Sequence, residues 1–125
     1  MASLRAGSLA KLGECHPDLV LVVREMVAEL TRAPGPLVHD VSVLCGHRGQ
    51  VEQDWAYKQG NSKLPWPKSK HNSFPSRAVD LAPYPLDWSD LAAFGELRAR
   101  MQRAADVVGV KVRFISWDWP HTELA

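Results

Sequence analysis

The stretch SKHNSFPSRAVDLAPY, Ser69 to Tyr84, passes from a polar, proline-bearing loop into a short apolar run and holds one histidine and one aspartate, His71 and Asp80. Arg77 to Ala82 suits a strand. Side chains alternate across a pleated backbone, so Val79 and Leu81 would share one face while Ala78, Asp80 and Ala82 share the other. Asp80 then stands among alanines, with space in front of it. Residues 61–76 carry Pro65, Pro67 and Pro75 among Asn, Ser and Lys. That composition predicts a long loop, and long ordered loops in small domains tend to carry function.

Before this loop, His16-Pro17-Asp18 opens a segment in which Leu19, Val20, Val23, Met26, Val27 and Leu30 recur at helical spacing, with Pro17 at a tolerated first-turn position. TRAPGP ends that helix. Val41, Val43 and Cys45 alternate with Ser42 and Leu44 in a strand closing at Gly46, and QVEQDWAYKQG reads as a short helix stopped by Gly60. After the loop, YPLDW turns the chain into a last long helix whose buried stripe is Leu91, Phe94, Leu97, Met101, Ala104 and Val108, with Gly109 as its stop. Glu96, Arg98, Arg100 and Arg103 fall on the opposite face and read as solvated. Val110, Val112 and Phe114 then alternate with Lys111 and Arg113 as a half-buried strand that delivers the chain into SWDWPHTELA. The expected class is α+β, a small single domain with helices packed on a mainly antiparallel sheet.

A chain of 125 residues is long enough for one modest core. With 15 Lys+Arg against 14 Asp+Glu it carries no global field, which argues against a nucleic-acid or membrane surface. Cys15 and Cys45 are far apart and outside any Cys-x-x-Cys spacing, so free thiols are expected rather than a disulfide framework or a thiolate zinc site. The opening MASLRAGSLAKLGE has no apolar signal core, and no segment approaches the roughly 20 apolar residues of a membrane span. A soluble protein made without a Sec-type signal is the expectation.

Of the histidines His16, His39, His47, His71 and His121, only His71 and His121 have an acidic residue and a strand end in their context. A catalytic zinc takes three nitrogen or carboxylate ligands and leaves one position open, so His71, Asp80 and His121 would make a complete set. Asp118 lies three residues before His121 with Pro120 between them. A straight strand would send those two side chains to opposite faces, whereas a bend at Pro120 lets Asp118 face the same centre as a general base. Spacing alone leaves the plainer account open, in which His71 is a hydrogen-bonded loop histidine and Asp80 an ordinary paired strand residue. Among the tryptophans, Trp55 and Trp88 are assigned to packing, and Trp66, Trp117 and Trp119 are candidates for substrate contact. Lys63, Lys68 and Lys70 read as a solvated loop that an anionic peptide could still use.

SKHNSFPSRAVDLAPY resembles the Ser-x-His and Ala-x-Asp-Leu zinc signature of the D-alanyl-D-alanine metallopeptidase family, which includes vancomycin-resistance dipeptidases and phage L-alanyl-D-glutamate endopeptidases. Three further segments are similar to the phage endopeptidase branch in the same order: HPDLVLVV, LCGHRGQVEQDWAYKQGNSK and DWPHTEL. The resemblance runs from about His16 to Leu124. It implies the fold of the D-Ala-D-Ala peptidase and hedgehog group, with zinc held by His71, Asp80 and His121. It implies Asp118 as the base, Arg48 as the group that stabilises the oxyanion or grips substrate, and Ser69 as a supporting or substrate hydrogen bond. The chain departs from the family in lacking the Gly-Gly-Asp-Trp-type loop before the last motif, and in carrying Thr122 and His47 where bulkier aromatic residues are common.

The activity implied is hydrolysis of the L-Ala–D-Glu bond in peptidoglycan stem peptides by a monomeric endolysin, made in the host cytoplasm and acting on the wall after release. The alternatives are a D-Ala-D-Ala carboxypeptidase or dipeptidase, and a zinc-bearing module that binds the wall without cleaving it.

Overall fold

The computed structural model describes residues 2–125. Elements follow in the order α1 (Ala6–Leu12), α2 (Pro17–Arg32), β1 (Val41–Cys45), α3 (Gln50–Lys58), a single 3-10 turn (Lys70–Asn72), β2 (Ala78–Pro83), α4 (Leu91–Val108), β3 (Val112–Ile115) and β4 (Asp118–Leu124). The strands form one antiparallel sheet in the order β1-β2-β4-β3. Helices packed on an antiparallel sheet are the α+β architecture expected.

Each element has a local cause. His16 caps α2 by accepting the Asp18 backbone N–H at its Nδ1, 3.1 Å away, and Pro17 occupies the first turn, where no N–H is needed. Gly109 ends α4 with φ 75°, a left-handed conformation that glycine adopts without a Cβ clash. The core lies between α2, α4 and one face of the sheet: Leu19, Val22, Val23, Met26 and Leu30 from α2 meet Leu97 and Met101 from α4 over Val79, Leu81 and Leu124.

Two elements went unread in the sequence, α1 and β4. Helix α1 packs on β1, where Ser8 Oγ accepts the Val43 N–H at 2.9 Å. Strand β4 takes in the whole of DWPHTEL, and its register explains how Asp118 and His121 come to share a side. Phe114 pairs with Thr122, but the next residue, Ile115, pairs with Asp118, so 119–121 form a bulge with no partner on β3. The bend expected at Pro120 is thus a bulge inside a strand.

The outer face of α4 is only partly solvated: Arg103 is exposed as expected, whereas Glu96, Arg98 and Arg100 are engaged. Glu96 accepts the Val38 N–H at 2.6 Å, and Arg100, buried, joins Arg103 on Glu29. Arg98 donates to the carbonyls of Ile115 and Asp118, each at 2.6 Å, and of Trp119 at 3.1 Å. The helix clamps the hairpin that carries Asp118. Of the two tryptophans assigned to packing, Trp88 stacks on Phe94 while staying 57% exposed, and Trp55 is 63% exposed.

Candidate metal and catalytic site

Antiparallel pairing places Asp80 opposite His121 and Ala78 opposite Glu123 on the face of the sheet turned away from the core. Ala78 and Ala82, fully buried on either side of Asp80, leave its carboxylate room to meet side chains from other elements. His71 arrives from the 3-10 turn. Ser69 accepts the His71 N–H at 3.2 Å and completes a reciprocal cap with Asn72, so this serine shapes the turn that aims the ring.

Each ring is oriented by an acceptor at one nitrogen and faces Asp80 with the other. His71 Nδ1–H donates to the Gly46 carbonyl at 2.7 Å, which turns Nε2 toward Asp80 Oδ1 at 3.0 Å. His121 Nε2–H donates to Glu123 Oε1 at 2.8 Å, which turns Nδ1 toward the same Asp80 oxygen at 3.3 Å. The rings meet edge to face, with centroids 5.1 Å apart. Gly46 is required for this arrangement, because a Cβ there would collide with the Lys11 carbonyl.

Asp118 Oδ2 stands 3.8 Å from His121 Nδ1, and Arg48 Nη2 stands 3.8 Å from Asp80 Oδ2. Arg48 is anchored through Nη1 to Gln53 Oε1 at 3.0 Å, and its backbone N–H donates to the His71 carbonyl at 2.8 Å. Gln53 is fully buried and donates to the Leu64 carbonyl and to Ser62, tying α3 to the loop. His71, Asp80, His121, Asp118 and Arg48 therefore converge. No buried side-chain nitrogen or oxygen among the described residues lacks a partner.

The charges reinforce one another. Burial alone would depress the His71 pKa, but the Asp80 hydrogen bond and Cys45 outweigh it and push the value up to about 10. Burial would raise Asp80, yet hydrogen bonds from His121 and His71 hold it far below the usual carboxylate range. Asp118 is pushed up, first by burial and then by the Asp80 charge, against the pull of His121, His71 and Arg48. Glu123 is lowered by His121 and Arg113 despite its burial. A proton on His71 Nε2 bridges to Asp80 in the place a cation would take.

Cys45 belongs to the same neighbourhood: its Sγ, a His71 ring nitrogen and an Asp80 oxygen all lie within 4.8 Å of one another, the one group of three metal-ligating residues this compact among the described residues, and His121 lies outside it. Both cysteines are free thiols, Cys15 buried and Cys45 partly so. Burial pushes the Cys15 thiol up to about 12, which makes it inert.

The family model of phage L-alanyl-D-glutamate peptidases matches residues 2–123. The chain belongs to that family. It is 34% identical over 113 residues to the L-alanyl-D-glutamate peptidase of Escherichia phage T5, spanning 87% of this chain and 75% of that one. Its fold matches the crystal structure of the Serratia marcescens L-Ala D-Glu endopeptidase ChiX with a TM-score of 0.80 and 26% identity, covering all of this chain and 90% of ChiX.

Around the site, Trp117 and Trp119 line a cavity beside Asp118, whereas Trp66 lines none of the cavities at this centre. Lys63 sits 4.3 Å over the Trp117 ring, and Lys70 Nζ donates to the Leu124 carbonyl at 2.8 Å, so these lysines are not a uniformly solvated cluster. Sequence reasoning missed Glu123, Gln53, Arg98 and Cys45. Glu123 alone left a signal: in a strand, an offset of two from His121 puts both on one face. No helix among the described residues is long and apolar enough to cross a membrane.

Proposed function

We propose that residues 1–125 form a single catalytic domain, a zinc-dependent peptidase that hydrolyses the L-Ala–D-Glu bond of peptidoglycan stem peptides and serves as a phage lysis enzyme. Family membership supports the reaction. One observation supports the metal: Asp80 Oδ1 lies 3.0 Å from His71 Nε2 and 3.3 Å from His121 Nδ1, with the far nitrogen of each ring held by Gly46 or Glu123. Donors around a tetrahedral zinc, at bonds of about 2.0–2.2 Å, stand roughly 3.3–3.6 Å apart, and Asp80 is near that spacing from each histidine. Two imidazoles and a carboxylate suit zinc, and Glu123 behind His121 is the outer carboxylate that commonly orients a ligating histidine.

His121 is preferred to Cys45 as third ligand because its nitrogen is prepaid by Glu123 and adjoins Asp118. Zinc held there supplies Lewis acidity for the scissile carbonyl and for the attacking water. Asp118 then takes the proton from that water and delivers it to the departing amine of D-Glu, a role its raised pKa suits. Arg48, held straight by Gln53, faces the oxygen on which negative charge develops. Trp117 and Trp119 wall the groove beside Asp118, and Ser69 holds the turn of His71.

Purified sacculi provide the test. Wild type carrying one zinc per chain should release new N-terminal D-Glu, and the Asp118→Asn variant should keep the zinc and release none. Free D-Ala as the product would replace this reading with a D,D-carboxypeptidase, and full zinc in His121→Ala would remove the ligand set.

A further inference from the structure

We infer that the groove has a direction: the sugar end of the stem peptide lies on the Trp88 side of the catalytic centre, and the free α-carboxylate of D-Glu lies on the Lys63 side. The inference rests on the proposed L-Ala–D-Glu activity and adds to it a bound orientation and a recognised sugar.

Two cavities meet at Arg48, Asn61, Asp80, Trp117 and Asp118, and they differ in size and in the side chains at their far ends. One, of about 90 Å³, is the centre itself, holding His71 and His121, and runs on to Ser62, Lys63 and Ser69. The other encloses about 460 Å³ and is walled by Trp88, Leu91, Phe94 and Trp119. In the smaller cavity Lys70 is already committed to the Leu124 carbonyl and lies 3.5 Å from Glu123, and Glu123 is itself engaged by His121 and Arg113. Lys63 makes no salt bridge among the described residues; its Nζ only rests on Trp117, so it is the cation left for an incoming anion.

In the aromatic cavity Trp88 stacks on Phe94, centroids 5.6 Å apart at 11°, yet remains 57% exposed. One indole face is therefore fixed and the other is open. Leu91 and Trp117, 48% and 49% exposed, extend this apolar surface.

The substrate has the matching asymmetry. On the acyl side of the scissile bond, L-Ala is carried through a lactyl ether by N-acetylmuramic acid, a pyranose whose C–H faces suit an aromatic plane. On the amine side, D-Glu continues through its γ-carboxyl and leaves its α-carboxylate free, close to the scissile nitrogen. A volume of about 90 Å³ admits a carboxylate and a water or two but no sugar ring, at about 30 Å³ per water. About 460 Å³ lies within the usual span of ligand sites, roughly 300–1,000 Å³. Reversed, the carboxylate would meet Trp88, Leu91 and Phe94, and the one cation within reach would be Arg48, which both cavities share and which already faces Asp80.

Four soluble substrates test this: an N-acetylmuramyl tripeptide and its N-acetyl counterpart without the sugar, each with the D-Glu α-carboxylate free or amidated. Wild type is expected to favour the sugar and the free carboxylate each by about tenfold in kcat/KM, the size of one good stacking or charge contact. Trp88→Ala should bring the sugar preference near one and keep the carboxylate preference, and Lys63→Gln should do the reverse. Trp88→Leu serves in place of Trp88→Ala should circular dichroism show the latter unfolded. A crossed pattern, or a sugar preference that survives both Trp88 variants, overturns the orientation. Equal hydrolysis of all four by wild type overturns it while leaving the peptidase reading intact, and hydrolysis of neither these nor sacculi removes both.

Discussion

On one face of the β2–β4 pair, Val79, Leu81 and Leu124 lie beneath α2 and α4; on the other, Asp80, His121 and Glu123 lie beneath the loop that brings His71. Both faces are well buried, and adjacent residues of the same strands supply them. The apolar face gains stability from area removed from water, about 25 cal/mol per Å², and needs no angular accuracy. The polar face gains little net stability, because each of its bonds replaces one to water, and it depends on every partner being present. Damage to the first should therefore appear as unfolding, and damage to the second as lost chemistry.

The sharpest way to break that contrast is to strike both sides. Leu81, 1% exposed, cut to alanine should cost about 2–5 kcal/mol, or roughly 8–20 °C in Tm at about 4 °C per kcal/mol. The folded fraction should still bind zinc and cleave sacculi. Asp118→Asn should lower kcat by at least 10²–10⁴-fold, the usual worth of a positioned acid–base group. Its Tm should hold or rise, since the substitution removes a charge opposed by burial and by Asp80. A Tm loss in Asp118→Asn comparable to that of Leu81→Ala would erase the distinction.

Glu123→Gln probes the polar face at one remove. The amide oxygen can still accept from His121 Nε2, so the tautomer survives while the negative charge behind the ring is lost. Zinc affinity should fall about 10–100-fold in competition with a chelator, the usual effect of losing an outer-shell carboxylate. An unchanged affinity would mean that His121 is not a ligand.

The two faces should also differ with pH. In the metal-free protein His71 is raised from 6.5 to about 10, so its contribution is complete below pH 6.5 and is lost as pH climbs toward 10. Asp80 is lowered, so its contribution is present above 3.8 and is lost as pH falls below that value. Metal-free Tm should thus drop by several degrees at both ends, at about 4 °C per kcal/mol. Zinc competes with the His71 proton, so its affinity should grow between pH 6.5 and 10. A flat metal-free profile over that window would show that His71 and Asp80 do not pair in solution.

The apolar face was the more legible in the sequence because its periodicity is local. The spacing of Leu19, Val23, Met26 and Leu30 marks α2, and that of Phe94, Leu97 and Met101 marks α4, close to where the helices lie, although Leu91, expected in the same stripe, is exposed beside the groove. The polar face is assembled from partners far apart in the chain, which no local period reports. His71 to Gly46 spans 25 residues and His121 to Asp80 spans 41, so their meeting could be expected only by resemblance. Arg98 is the instructive failure: charged and on the outer side of α4, it fits the pattern of a solvated residue. Its partners are backbone carbonyls of a hairpin, which leave no mark in side-chain patterning. Strand β4 was obscured for a related reason, since its bulge interrupts the alternation by which a strand is recognised.

Cys45 offers the finest separation, because it sits where the two accounts of the metal set diverge. Cys45, His71 and Asp80 are the one such grouping among the described residues whose ligand atoms all lie within 4.8 Å, and a thiolate is a stronger zinc ligand than a carboxylate. Cys45 is, however, drawn to other partners: its Sγ lies 3.9 Å from Arg48 Nη2 and 3.7 Å from the Gly46 carbonyl, while His121 has only the site to face on its Nδ1 side. Cys45→Ser should therefore change zinc affinity less than threefold, the smallest effect of the series, against loss of stoichiometric zinc in His121→Ala. With cobalt in place of zinc, wild type should lack the sulfur-to-metal charge-transfer band near the ultraviolet edge. Such a band that disappears in Cys45→Ser would move the third ligand from β4 to β1, and with it the side of the centre left open to substrate.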